Sequence, residues 1–335
     1  MPDEQMLYFV SLLPILLYVI AIKSMDAFKL ASWKKVILAA GWGMLDCTAL
    51  FLAASTGESS SNEWSPLLEE LLKGLPLVYL IGRKRIAFLA EALIYGTAIG
   101  AGFALLENII YVTVISDLSL YGAALRVFGT VVLHIGCTFL FGASAVMMMR
   151  IFSALPPIIY WLCCLVPVIP PAVIHFCFNL FLLPESVRVV LTVVLMSAMF
   201  VIIYEIDSRF VHKWLDSCIS NDISLLASIR EGRFRETAAG RYLSQAQKKY
   251  DPETFFDICN YVGLYLELSV AAKSRMILRE AGIEMPYSEK THGENLNKLS
   301  ELRSLESNLG LTVRMFLKPI TNEINADSWV LKELL

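Results

Sequence analysis

The chain has 335 residues, of which 56% are hydrophobic and only 18% charged, whereas soluble domains run at about 45–50% apolar and about 25% charged. Its formal net charge is −3, and without a basic patch or stripe that balance excludes a nucleic-acid binder. Eleven of the 28 Lys and Arg fall in residues 1–205 and seventeen in 206–335, which predicts a membrane-embedded domain over 1–206 and a smaller soluble domain over 207–335.

Apolar runs near the ~20 residues that cross a bilayer occur at 6–22, 35–54, 66–82, 86–116, 122–149, 154–183 and 187–205. They predict an all-α polytopic bundle of about seven spans. The first run follows an acidic Met-Pro-Asp-Glu-Gln and is not followed by an A-x-A-like site, so it reads as a retained anchor rather than a cleaved signal. The third is short, with Gly74 and Pro76 expected to bend it. The fourth and sixth are too long for upright helices. Gly96, Gly100 and Gly102 interrupt one, and Pro167, Pro170 and Pro171 the other. Each reads as a kinked span or as a span plus a re-entrant piece.

Loop 23–35 holds Lys23, Lys29, Lys34 and Lys35, loop 83–85 is Arg83-Lys84-Arg85, and Arg150 follows the fifth run. Loops 55–65 and 117–121 hold neither Lys nor Arg. Cytoplasmic loops carry the excess of these residues, so the N-terminus is expected outside and the C-terminus in the cytoplasm, with Arg188 a lone exception. Beyond Ile206, residues 252–282 read as one amphipathic helix, with Phe255, Phe256, Cys259, Val262, Leu266 and Val270 three or four apart. Asp257 and Glu267 argue against a further span there. Pro286 and His292-Gly293 read as loop, Leu296–Leu309 as another helix, and the region shows no catalytic constellation, with His212 and His292 read as surface residues. The seven cysteines (47, 137, 163, 164, 177, 218 and 259) form no C-x-x-C pair and predict no disulfide framework.

Ionisable residues inside the apolar runs carry the chemistry. A charge near a bilayer centre costs about 2.5–3.5 kcal/mol on insertion scales, so such residues face a bundle interior or a watery cavity. Glu69-Glu70 stand in Pro66-Leu-Leu-Glu-Glu-Leu-Leu-Lys73, Glu107 follows Phe103 by one turn, Arg126 and His134 lie eight apart, and His175 and Asn179 form H-x-x-x-N. Taken singly, each has a plain structural reading: an i,i+3 or i,i+4 ion pair with Lys73, a carboxyl kept protonated by burial, a snorkelling arginine, a packing histidine. At 1.5 Å per residue, however, Glu107 and His175 lie about 14 Å and His134 about 18 Å inside the outer ends of their spans, with Glu70 shallower in the same half. Groups on four spans that agree in depth predict one shared site.

In their order, Glu69-Glu70-x-x-Lys73, Phe103-x-x-x-Glu107-Asn108, Arg126 with His134, and His175-x-x-x-Asn179 resemble the PrsW family of intramembrane peptidases, relatives of the type II CAAX prenyl endopeptidases. The resemblance covers about residues 60–183. The prenyl endopeptidases carry E-E-x-x-x-R and F-x-x-x-H, so Lys73 and Glu107 place the chain nearer PrsW. The resemblance implies a multi-pass peptidase of the bacterial cytoplasmic membrane that cuts a single-span membrane protein, such as an anti-sigma factor, on its outer side. It implies glutamate-activated hydrolysis without a cofactor: Glu69 or Glu70 as base, Lys73 orienting the pair, His134 and His175 positioning water or donating to the leaving amine, Asn179 on the oxyanion, and Glu107 orienting a histidine. A zinc alternative would use Glu70, Glu107, His134 and His175, since two histidines and a glutamate match a catalytic zinc set, although no H-E-x-x-H is present. A proton-coupled carrier and a non-catalytic scaffold are the rival classes, and the internal repeat that a carrier predicts is not visible. Besides substrate and bilayer, a cytoplasmic partner for residues 207–335 is expected.

Overall fold

The computed structural model describes residues 4–24, 26, 31–55, 65–83, 85–86, 88–114, 120–152, 165–180, 182–283, 288–321 and 331. The regular structure among them is helical: α1 (Glu4–Ser24), α2 (Trp33–Ser55), α3 (Ser65–Gly82), α4 (Leu89–Val114), α5 (Leu120–Phe152), α6 (Ile169–Asn179) after a 3₁₀ turn (Val166–Val168), α7 (Glu185–Arg230), α8 (Ala238–Lys249), α9 (Pro252–Glu280), α10 (Glu289–Asn308) and α11 (Gly310–Thr321). The chain forms two compact units, Met1–Ser208 and Arg209–Leu335, and the division falls inside α7. Lys29, Lys84, Cys163, Cys164, Pro286, most of the expected 55–65 and 117–121 loops and the first part of the sixth run lie outside the described residues.

In the first unit α4 and α5 form the buried centre, with α2 packed on α4, α1 against both, and α3 and α6 against α5. Small residues make this contact close. A Cβ on Gly96 would stand 2.7 Å from the Phe139 Cα, and one on Gly100 2.5 Å from the His134 carbonyl oxygen. Gly43 and Gly102 bring the α2 and α4 backbones together in the same way. Lipid tails are as apolar as the side chains, so packing of this kind, rather than the hydrophobic effect, associates helices in a bilayer. The fourth run is thus one continuous helix from Leu89 to Val114, and its glycines are contact points between helices. In the sixth run Pro170 and Pro171 occupy the first turn of the short helix α6, where a missing N–H costs nothing, and residues 154–164 of that run lie outside the described residues.

The outer faces are apolar. Leu38, Leu45 and Leu52 on α2 and Val190, Val194 and Val201 on α7 are all exposed, a surface suited to lipid and too extensive for a soluble monomer. Among the described residues five helices are long and apolar enough to cross a membrane: α2, α4, α5, α7 and α9. Shorter apolar helices are Leu12–Ser24 and Val166–Asn179. Length and composition thus admit α9, which Asp257 and Glu267 were expected to exclude.

The second unit has its own core. Ile258, Val262, Leu266 and Met276 of α9, Leu299 and Leu302 of α10 and Leu317 of α11 are buried. Phe256 and Cys259, expected on the apolar stripe, face outward. Asp251 caps α9 by accepting from the Thr254 backbone N–H at 2.9 Å, and the backbone and hydroxyl of Thr254 hold its carboxyl below the usual range. His292 and Gly293, expected in a loop, lie in the first turns of α10, which starts at the Ser288 cap. His212 is half exposed and pairs with Glu280 at 3.1 Å. The five described cysteines are free thiols.

Candidate active site

Four helices of the first unit bring the ionisable residues together. α3 supplies Glu69, Glu70 and Lys73, α4 Glu107, α5 Arg126 and His134, and α6 His175 and Asn179. Successive residues on a helix point about 100° apart, so the two glutamates face differently. Glu70 turns inward and is fully buried, whereas the Glu69 side chain is 17% exposed. Lys73, one turn beyond Glu70 and on its side of the helix, places Nζ 2.6 Å from Glu70 Oε1. Glu69 instead accepts the Ser65 hydroxyl at 2.7 Å.

The contacts fix the protons. Lys73 Nζ also stands 2.9 Å from His134 Nδ1. An ammonium only donates, so Nδ1 is the acceptor and His134 carries its proton on Nε2. That nitrogen lies 2.7 Å from Glu107 Oε2 and donates to it. His175 Nδ1 donates to Glu70 Oε1 at 2.8 Å; in the neutral ring this leaves Nε2 an acceptor, 3.7 Å from Glu69 Oε2. Phe103 packs on both His134, at 4.8 Å between centroids, and the Lys73 ammonium, at 4.3 Å. The two histidine rings meet edge to face at 5.0 Å.

A cavity of about 70 Å³, room for a few water molecules, is lined by Glu69, Glu107, Arg126, His134, His175 and Asn179. Glu70 and Lys73 stand behind that wall. Arg126 lies over the Tyr111 ring at 3.8 Å, with Nη2 3.8 Å from Glu107 Oε1. Some contributors were not read from the sequence. Thr130 lines the cavity and donates to Asn108 Oδ1 at 2.9 Å, tying α5 to α4. Glu185 and Arg188, at the start of α7, line it too, and the Arg188 guanidinium donates to the Phe178 carbonyl at 2.6 Å. Asp46 is buried on α2, one turn past Gly43 where α2 meets Phe103, and it feels the charge of Lys73. An acid within an apolar run is the signal that marked the other residues, and it would have found Asp46 as well.

The family model described as "PrsW family intramembrane metalloprotease" matches residues 31–204, just over half of the chain. The chain belongs to the PrsW family. It is a membrane protein and, with that family, a membrane endopeptidase. No curated protein and no solved structure matches it.

The family description raises the question of a metal. Glu69, His134 and His175 offer ligand atoms that all lie within 4.8 Å of one another. This differs from the expected set: Glu70 is covered by Lys73 and His175, and Glu107 is not one of the three. His175 suits a metal: its Nδ1–H is anchored on a carboxylate, as metal-bound histidines usually are, and its Nε2 is bare. His134 does not. Its Nδ1 lone pair is taken by Lys73 and its Nε2–H by Glu107. A metal on Nε2 would displace the Glu107 contact and force a proton onto Nδ1, against the ammonium. In this arrangement the donor set does not fit a metal.

Proposed function

We propose that the chain cuts single-span membrane proteins at this cavity by glutamate-activated hydrolysis, with Glu69 as the base. The observation that carries the reading is the division of labour between the two glutamates. Glu70 is buried and committed to Lys73 and His175, while Glu69 faces the cavity beside the bare Nε2 of His175. One water bridges acceptors 3.7 Å apart. Glu69 takes one proton from that water, His175 Nε2 accepts a hydrogen bond from the O–H that remains, and the water oxygen attacks the scissile carbonyl carbon, whose C=O π pair moves onto the carbonyl oxygen. Asn179 and Arg126 supply N–H donors on the cavity wall for the developing oxyanion, a kind of contact worth about 2.7–4 kcal/mol where measured. As the tetrahedral intermediate collapses, the proton held by Glu69 passes to the departing amine. Glu107 keeps His134 in a single tautomer, and Lys73 holds the buried carboxylate and both rings in register.

The same reading places the chain in the bacterial cytoplasmic membrane with the N-terminus outside, supported by the Lys and Arg distribution. An anti-sigma factor or similar regulator is the substrate class. The charged, exposed helices α8 and α10 support a cytoplasmic partner for the second unit. Comparing the membrane proteomes of cells carrying the intact chain or Glu69→Gln tests the reading. Loss of a general base typically costs about 10²–10⁴ in rate, so shortened single-span proteins should accumulate only with the intact chain. Equal accumulation with the variant would refute it.

A further inference from the structure

Lys73 is an unusual residue to find at the back of this site. Its side chain is wholly buried, yet a lysine can normally snorkel to water. Its ammonium is instead surrounded. Glu70 Oε1 lies at 2.6 Å, His134 Nδ1 at 2.9 Å and the Phe103 ring face at 4.3 Å, three neighbours for three N–H bonds. Glu69 on α3 adds negative charge within electrostatic reach, and Asp46 on α2 is a further acid in range of the ammonium. A carboxylate oxygen and an imidazole nitrogen converging on one cation, with further acids around it, is the donor chemistry that divalent metals select. Here the separations are those of hydrogen bonds rather than of the ~2.0–2.2 Å metal bonds.

We infer that the Lys73 ammonium is the built-in cation of this site, standing between Glu70 and His134 where a metalloprotease would keep its metal. The inference rests on the peptidase reading above and deepens it. A covalently tethered cation organises the carboxylate and the ring without depending on metal supply. It is no Lewis acid, so it does not polarise the scissile carbonyl, and that task falls to Arg126 and Asn179. It also accounts for His134, whose two nitrogens are committed to Lys73 and Glu107, and so reconciles the metalloprotease-like ligand types with a donor set that does not fit a metal.

The test reads metal content and needs no substrate. The full chain, purified in detergent and dialysed with and without a chelator, is expected to hold substoichiometric zinc, manganese and iron in both cases by elemental analysis. Lys73→Ala empties a cation-sized space beside Glu70 and His134 and is expected to take up a full equivalent of zinc or manganese, whereas Lys73→Arg, which keeps a cation, is not. A stoichiometric metal in the unaltered chain would overturn the inference without any variant. So would a well-folded Lys73→Ala chain that takes up no more metal than the parent. Neither result bears on whether Glu69→Gln abolishes cleavage, so failure of this inference is distinguishable from failure of the peptidase reading.

Discussion

Glu69 and Glu70 are neighbours in the chain with unlike surroundings, and substitution should separate them. Glu69→Gln keeps the Ser65 contact and a side chain of the same shape at a partly exposed position, so the protein should melt near the parent temperature while losing cleavage. Glu70→Gln removes the anion from between Lys73 and His175, both fully or almost fully buried, and leaves the ammonium uncompensated. Breaking one side of a buried pair typically costs about 3–5 kcal/mol. A clearly lower midpoint in thermal unfolding of the detergent-solubilised chain is expected for Glu70→Gln and not for Glu69→Gln; equal midpoints would show that the buried pair does not stabilise the bundle. Much of this site was legible at the residue scale, because acids and imidazoles in apolar runs are costly enough to stand out. Which glutamate faces the cavity was not legible. Two residues 100° apart on α3 both satisfy the pattern, and only the positions of α5 and α6 decide between them. Asp46 carries the same signal, an acid within an apolar run.

At the scale of the element, helix type followed from hydrophobic period and length, and the role of the glycines in α4 was the part not legible. Glycine weakens an isolated helix, so a glycine within a long run reads as an interruption. Tertiary packing reversed the sense of Gly96 and Gly100: each lets α5 approach where a side chain would block it, and the approach at Gly100 sets the position of the His134 backbone. Gly100→Ala should therefore push α4 and α5 apart at the site. Overpacking of a tight interior costs typically about 1–3 kcal/mol, and the displaced His134 should lower cleavage at the same time. Gly41→Ala is the matched control, because a Cβ there meets nothing within 4 Å. A residue in a helix gains about 0.5–1 kcal/mol on going from Gly to Ala when nothing clashes, so its midpoint should stay level or rise. A rise in both variants would mean that the α4–α5 contact can relax and that glycine is not required there.

At the scale of the whole molecule, α7 carries the chain from one compact unit into the other without a break. The sequence shows a change from apolar to charged residues near Ile206, and hydropathy registers that change as an end. A helix needs only permissive residues and continuous hydrogen bonding, so α7 runs on to Arg230 through the change of surroundings. The second unit then closes around a buried polar cluster that no periodicity announces. Lys273, 1% exposed, donates to Asp222 Oδ2 at 2.7 Å, Ser269 donates to the same oxygen at 2.7 Å, and the ammonium lies 5.4 Å from the Trp214 ring centroid. Lys273→Met preserves the apolar stem but leaves Asp222 a buried anion with one remaining hydroxyl donor in this cluster. That imbalance should cost about 3–5 kcal/mol, whereas replacing both charges with apolar or neutral groups of similar volume is often neutral. Asp222→Asn combined with Lys273→Met should consequently recover much of the loss, a coupling of the kind that double-mutant cycles measure. Calorimetry of the full chain checks this, since both units contain their own cores and only the transition belonging to the second should move. Additive losses in the double variant would show that the two residues stabilise the unit independently rather than as a pair.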